Sequence, residues 1–216
     1  MAFLDYFRNM KNKHKQVVTV NEIDALPTFS DEDAGLYWNR ITSENIADNE
    51  VYFQEMSEWS ADAGVRRYIA SKVSIDKIFR ECVKPAEVQE LKTKNNLYFC
   101  FNDNADFVGF AYISAPFGVN KHSTLEYIVV NPKFQRSGFG TKMVKSISSY
   151  MDYFNNGYES SGLMSSVEVE NIASSRAFLK NNFKVVSANT SDTGRRYNVF
   201  YLSSRNNAMD ENNVAG

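Results

Sequence analysis

The sequence predicts an α/β fold, a sheet flanked by helices, and three observations carry that expectation. The stretch LEYIVVNPKFQRSGFGTKMVKSISSY, Leu125 to Tyr150, reads as a buried strand, a turn, a loop with two glycines and an amphipathic helix. A second strand followed by a helical pattern runs over residues 163–181, and short β-rich segments joined by turn residues surround both. Residues 30–95, by contrast, show helical periodicity that is repeatedly broken. With 216 residues, 43% of them hydrophobic and 14% aromatic, the chain has apolar mass for one sizeable core. The expected organisation is a single domain over 16–204, between an amphipathic tail at 1–15 and an Asn-rich, disordered tail at 205–216.

In order along the chain, Phe3, Leu4, Phe7 and Met10 give the basic N-terminal segment a short apolar pattern, the mark of a loosely attached helical tail. Gln16 to Val20 is a strand candidate. Ser30-Asp31-Glu32-Asp33 reads as a helix N-cap with an acidic first turn. Helical spacing follows through 51–59, 68–73 and 75–83, and Pro85 opens a further helix bearing Val88 and Leu91. Asn96 to Phe101 and Phe107 to Ser114 form a hairpin about the turn at 102–106. A loop over 115–123, holding His122, leads into the strand Leu125 to Val130. Asn131-Pro132 stops that strand, because proline offers no ladder donor and fixes φ. Met143, Val144, Ile147, Met151 and Phe154 then mark one face of a helix, and Asn155-Asn156-Gly157 ends it. The chain closes with a strand over 163–170, a helix over 172–181, and a hairpin of 184–188 with 196–202.

Gly138 and Gly140 at the start of a helix allow close backbone approach and leave N–H groups pointing at an anion, which suggests a phosphate-bearing ligand. A Walker loop is excluded, since Thr141 follows Gly140 where Lys is required. The dinucleotide fingerprint is excluded too, because Met143 occupies the place of its third glycine. Gln135-Arg136-Ser137-Gly138-Phe139-Gly140, after Val130-Asn131-Pro132, resembles the Q/R-x-x-G-x-G/A signature of the GNAT family of acetyl-CoA-dependent N-acetyltransferases. VEVENIASSRAFLKNNF, Val167 to Phe183, is similar to that family's second cofactor segment, with Asn171, Ser174, Phe178 and Phe183 at matching places. The two segments and their surrounding strands span about the C-terminal half.

That resemblance implies a mixed, mostly antiparallel sheet of six to seven strands, with acetyl-CoA as co-substrate and a primary amine as acceptor. Residues 30–95 would form the acceptor side and 96–204 the cofactor-binding core. It implies that the backbone of Ile128, Val129 and Val130 holds the pantetheine arm and polarises the acetyl carbonyl. The amides of Arg136, Ser137, Gly138, Phe139, Gly140 and Thr141, next to Gln135, would hold the pyrophosphate, and Asn171, Ser174 and Phe178 would line the other side. A non-catalytic acyl-CoA-binding or protein-interaction module on the same fold is the alternative.

Transfer to an amine needs a base for its proton and a donor for the thioester oxygen. Glu126 is the first candidate base: even spacing sets it on one strand face with Ile128 and Val130, and a strand glutamate near this place is the base in several family members. Its competing role is an ion pair across the sheet. Glu168 is the reserve, Glu170 reads as a solvated charge, and His122 reads as an exposed loop residue. Phe178 stands where many members carry a tyrosine that protonates the leaving thiolate; Tyr112, Tyr127 and Tyr197 lie on strands, where packing is their commoner use. Asn182 replaces a glycine, a change asparagine tolerates because it adopts the left-handed conformation. Trp38, Tyr52, Phe53, Trp59 and Tyr68 read as core rather than as a stacking site.

A net charge of −2 argues against nucleic acid as a partner. No stretch has the length of a membrane span, and the charges scattered through the first 15 residues are unlike a signal peptide, so a cytoplasmic protein is expected. Cys82 and Cys100 are too few for a disulfide scaffold, and Cys100 reads as a small buried hydrophobe. Two distant histidines and two cysteines without ligand spacing give no metal site. A homodimer follows from the resemblance alone.

Overall fold

The computed structural model describes residues 29–69, 74–83, 95–114, 122–151 and 162–204. The expected elements at 1–28, the helix opened by Pro85, the loop at 115–121, the helix stop at 155–157 and the tail at 205–216 lie outside them.

The chain enters as a hairpin, β1 (Phe29–Asp31) and β2 (Leu36–Ile41), where a helix N-cap was expected. Asp31 does use its carboxylate as a cap does, accepting from the Ala34 N–H at 3.1 Å. Gly35, at φ +64°, turns the chain back. Leu36, Trp38 and Ile41 are buried, so β2 follows tertiary demand rather than the helical signal before it. Three helices come next: α1 (Glu50–Trp59), α2 (Ala63–Tyr68) and α3 (Ile75–Val83). Phe53, Met56 and Trp59 recur on one buried face of α1. Asp62 caps α2, its Oδ1 accepting from Val65 N–H at 2.9 Å.

The remaining elements are β3 (Asn95–Asn102), β4 (Phe107–Ser114), β5 (His122–Val130), α4 (Phe139–Ser149), β6 (Gly162–Glu168), α5 (Ile172–Lys180), β7 (Lys184–Thr190) and β8 (Arg196–Ser203). His122 opens β5 instead of sitting in a loop. Eight strands form one sheet in the order β1-β2-β3-β4-β5-β6-β8-β7, antiparallel throughout except for β5 and β6. The β1–β2 hairpin raises the count above the six to seven expected.

Each face of the sheet carries its own core. On one, Met143, Val144 and Ile147 of α4 and Ala177 and Phe178 of α5 pack with Trp38, Tyr98, Leu125 and Phe200. On the other, α1, α2 and α3 contribute Phe53, Trp59, Val65 and Phe79 against Phe99, Phe107, Phe110, Tyr112 and Val129. Trp38, Phe53 and Trp59 are therefore core, as read, although Trp38 comes from a strand and not a helix. Cys100 is fully buried, and burial pushes its thiol well above the ordinary range.

Candidate functional site

β5 and β6 pair only at their beginnings, His122–Thr124 against Gly162–Met164. Beyond Thr124, β5 stays paired with β4 and β6 with β8, so the two strands part and their facing backbone edges line a gap. Ser165 sits in the fork, its hydroxyl donating to the Leu125 carbonyl at 2.8 Å. From there a cleft of about 700 Å³ opens between the strands.

One wall is β5 with the loop after it. Asn131 fixes the loop's start: its Nδ2 donates to the Phe107 carbonyl at 2.8 Å and to Glu55 of α1 at 2.9 Å, while its Oδ1 accepts from the Lys133 N–H. Lys133 Nζ also meets Glu55 at 2.9 Å, so α1 and the loop hold one another, and the carboxylate raises the lysine above its ordinary range. Arg136 and Gly138 then take left-handed conformations, φ +63° and +89°, to bring the chain into α4. For Arg136 this costs on the order of 1–2 kcal/mol. Gly138 N-caps α4 without a side-chain bond, and the first intrahelical bond is Lys142 N–H to Gly138 O at 3.2 Å. The amides of Phe139, Gly140 and Thr141 thus precede the ladder, at the positive end of the helix dipole.

The opposite wall is β6, α5 and β8. Asn171 lines the cleft while its Oδ1 caps α5 through the Ser174 N–H at 3.2 Å. Ser174, Ala177 and Phe178 follow it on the wall. Phe178 is 1% exposed and packs on Phe183 and Phe200. Asn182 adopts φ +64°, as its place after the helix suggested.

Glu126 also borders the cleft, but not on the face first assigned to it. The register slips between Tyr112 and Ile113, which pair with Tyr127 and Leu125, so Glu126 is an extra residue on β5, a bulge. Leu125 and Ile128 consequently belong to the same core although three residues apart, and Tyr127 packs on Phe79 of α3. The even spacing of Glu126 with Ile128 and Val130 does not put them on one face; the bulge turns Glu126 toward the side of α1–α3. Its Oε1 accepts from Ser114 Oγ at 3.1 Å, so its observed partner is a hydroxyl and not a cation.

Glu168 reaches the same side of the sheet, two residues beyond exposed Ser166 and opposite Tyr197 of β8. It is held by Arg195, Nη1 to Oε2 at 3.7 Å. Glu170 pairs with Arg67 of α2, and Tyr68 Oη donates to the Glu170 carbonyl at 3.3 Å. These contacts carry α2 across to the β6–α5 turn. Gly64, Tyr68, Ser165, Ser166 and Arg195 line the cleft without having been singled out as site residues. Tyr68 counted only as an aromatic of the core, and nothing in the local spacing of the others marks them, since a strand divergence brings them together. Among the described residues no cluster of His, Cys, Asp or Glu has the arrangement of a metal site. No helix among them is long and apolar enough to cross a membrane.

Residues 53–183 match the sequence model of the acetyltransferase (GNAT) family. The chain belongs to the GNAT acetyltransferase family. The co-substrate of this family is acetyl-CoA. No curated protein sequence matches the chain. Spermidine N-acetyltransferase from Vibrio cholerae, solved with CoA and spermine, is similar in structure, with a TM-score of 0.60 and 10% identity over 79% of this chain and 96% of that one. Aminoglycoside acetyltransferase AAC(6')-Ib, solved with coenzyme A, gives 0.58 and 12% over 81% and 98%. RimL, a ribosomal L7/L12 α-N-protein acetyltransferase, gives 0.56 and 13% over 79% and 91%. At these identities the shared property is the GNAT fold.

Proposed function

We propose that this GNAT protein transfers acetyl from acetyl-CoA to a primary amine by direct attack, both substrates occupying the cleft together. The parting of β5 from β6 beyond Thr124 and Met164 carries the reading. It leaves backbone N–H and C=O groups of β5 facing a slot, where an extended pantetheine arm satisfies them as a neighbouring strand would. The residues fit such a ligand. Ile128, Val129 and Val130 meet the arm. Phe139, Gly140 and Thr141 offer amides to the pyrophosphate, beside Gln135, Arg136, Ser137 and Gly138. Asn171, Ser174 and Phe178 close the far wall.

Acetyl-CoA supplies a thioester: its carbonyl carbon gains the bond to nitrogen, and its C–S bond breaks to release the thiolate. An amide on the β5 edge donates to the carbonyl oxygen as charge develops there. The Glu126 carboxylate takes the proton that the acceptor ammonium must lose, directly or through water. Glu168, engaged by Arg195, is the second carboxylate within the cleft. Phe178 offers no proton to the departing sulfur, which leaves as a thiolate and is protonated by solvent; an alkyl thiol such as cysteine, with a pKa of about 8.5, is a tolerable leaving group.

Thermal unfolding with and without acetyl-CoA tests the first half. At 100 times its dissociation constant the ligand stabilises by about 2.7 kcal/mol, a shift of roughly 5–10 °C for a chain of this size. CoA release with spermidine, an aminoglycoside and a peptide bearing a free N-terminus tests the second half. Glu126→Gln should keep the thermal shift and lose turnover by about 10²-fold or more. No shift at saturating acetyl-CoA would remove the enzyme reading. A shift without turnover on any amine would favour the acyl-CoA-binding module, which the phenylalanine at 178 also favours.

A further inference from the structure

We infer that Ser114 is a positioning residue for Glu126, an inference that rests on Glu126 being the base. The bulge gives the carboxylate its direction but not its orientation. A glutamate on an exposed bulge has three rotatable side-chain bonds, and nothing in the strand ladder fixes them. Ser114 supplies the missing constraint. It is the last residue of β4 and pairs with Thr124, one pair away from the register slip. It lies two residues beyond Tyr112, which belongs to the core on the α1–α3 side, so strand alternation sends its hydroxyl to the same face as Glu126. There its Oγ donates to Glu126 Oε1 at 3.1 Å.

The bond divides the work of the carboxylate. Oε1 is occupied as an acceptor, and Oε2 is left to receive the amine proton. The other charged or titratable groups on this part of the cleft are Tyr68 from α2, Tyr127 on β5 itself, Glu168 from β6, and Arg195 and Tyr197 from the β8 side. From α3, the residue packed on this strand is the uncharged Phe79, while Arg80 is engaged with both Asp76 and Glu50. From β4, Tyr112 is buried against the same ring.

The test compares wild type with Ser114→Ala and Ser114→Thr. The readouts are the thermal shift with acetyl-CoA, which needs no acceptor, and steady-state kinetics with the best amine of the panel. Ser114→Ala should keep the acetyl-CoA thermal shift of the wild type, because Ser114 lies away from the place proposed for the cofactor. Ser114→Thr, which keeps the hydroxyl, should keep both the thermal shift and wild-type turnover. With the best amine of the panel, Ser114→Ala should lower kcat about three- to tenfold while KM for the amine stays within twofold.

Wild-type kcat in a folded Ser114→Ala protein that keeps the acetyl-CoA shift overturns the positioning role. So does equal loss in Ser114→Thr and Ser114→Ala, which would mark a packing defect. The base assignment fails separately: Glu126→Gln with wild-type turnover sinks it, and the positioning role falls with it.

Discussion

A methyl group on Gly140 would meet only Val130 Cγ2, at 3.5 Å, an ordinary contact. Packing therefore does not require glycine there, and Gly140 is already inside α4, where glycine is a poor helix former. Gly140→Ala should stabilise the ligand-free protein by up to about 1 kcal/mol, raising its melting temperature by as much as roughly 2–4 °C. The same methyl projects toward β5, across the place proposed for the pyrophosphate, so the acetyl-CoA shift should shrink. Melting curves with and without ligand check both signs at once. A variant that gains stability and keeps the full ligand shift would place the pyrophosphate elsewhere. Gly138 is a poorer probe: open space surrounds it, but φ +89° strains any other residue before a ligand is involved.

The elements on the α4–α5 side of the sheet are tied by a buried hydrogen bond, Trp38 Nε1–H of β2 to Ser146 Oγ of α4 at 3.0 Å. Ser146→Ala would leave a buried indole N–H without its acceptor, and the expected loss is about 1–3 kcal/mol. Urea unfolding should show a lower midpoint with an unchanged slope, and an unchanged midpoint would mean that water replaces the serine. The same pair explains what the sequence could and could not announce. The helical face of Met143, Val144 and Ile147 was legible because its period is local. β2 was not, because Ser30-Asp31-Glu32-Asp33 has the composition of a helix cap, and only Trp38 meeting α4 and Leu36 meeting the core make the segment a strand. The glycine loop was legible in residue types alone, since a helix start that must admit an anion excludes side chains. The side of the sheet to which Glu126 belongs was not: the slip arises between β4 and β5, and no pattern within β5 encodes what its partner does.

At the scale of the molecule the sheet is two antiparallel blocks, β1–β5 and β6–β8, joined edge to edge by three residues of parallel pairing. The blocks are also joined over one face, where Asn181 at the end of α5 donates from Nδ2 to the Thr141 carbonyl of α4 at 3.0 Å. Backbone amides that in a continuous sheet would be protected are here left at a cleft, and that has a kinetic consequence. Hydrogen exchange over Glu126–Val130 should be faster than over Leu97–Phe101 of β3, a strand paired on both sides. Acetyl-CoA should slow exchange in two segments, Glu126–Val130 and Phe139–Thr141, because it would occupy the slot and the helix start together. β3 should not change, being already paired. Protection at the helix start alone would mean that the phosphates bind while the arm does not enter between the blocks, leaving Glu126 with nothing to act upon. Protection in both segments would put an acyl group beside the bulge, within reach of the carboxylate that Ser114 holds.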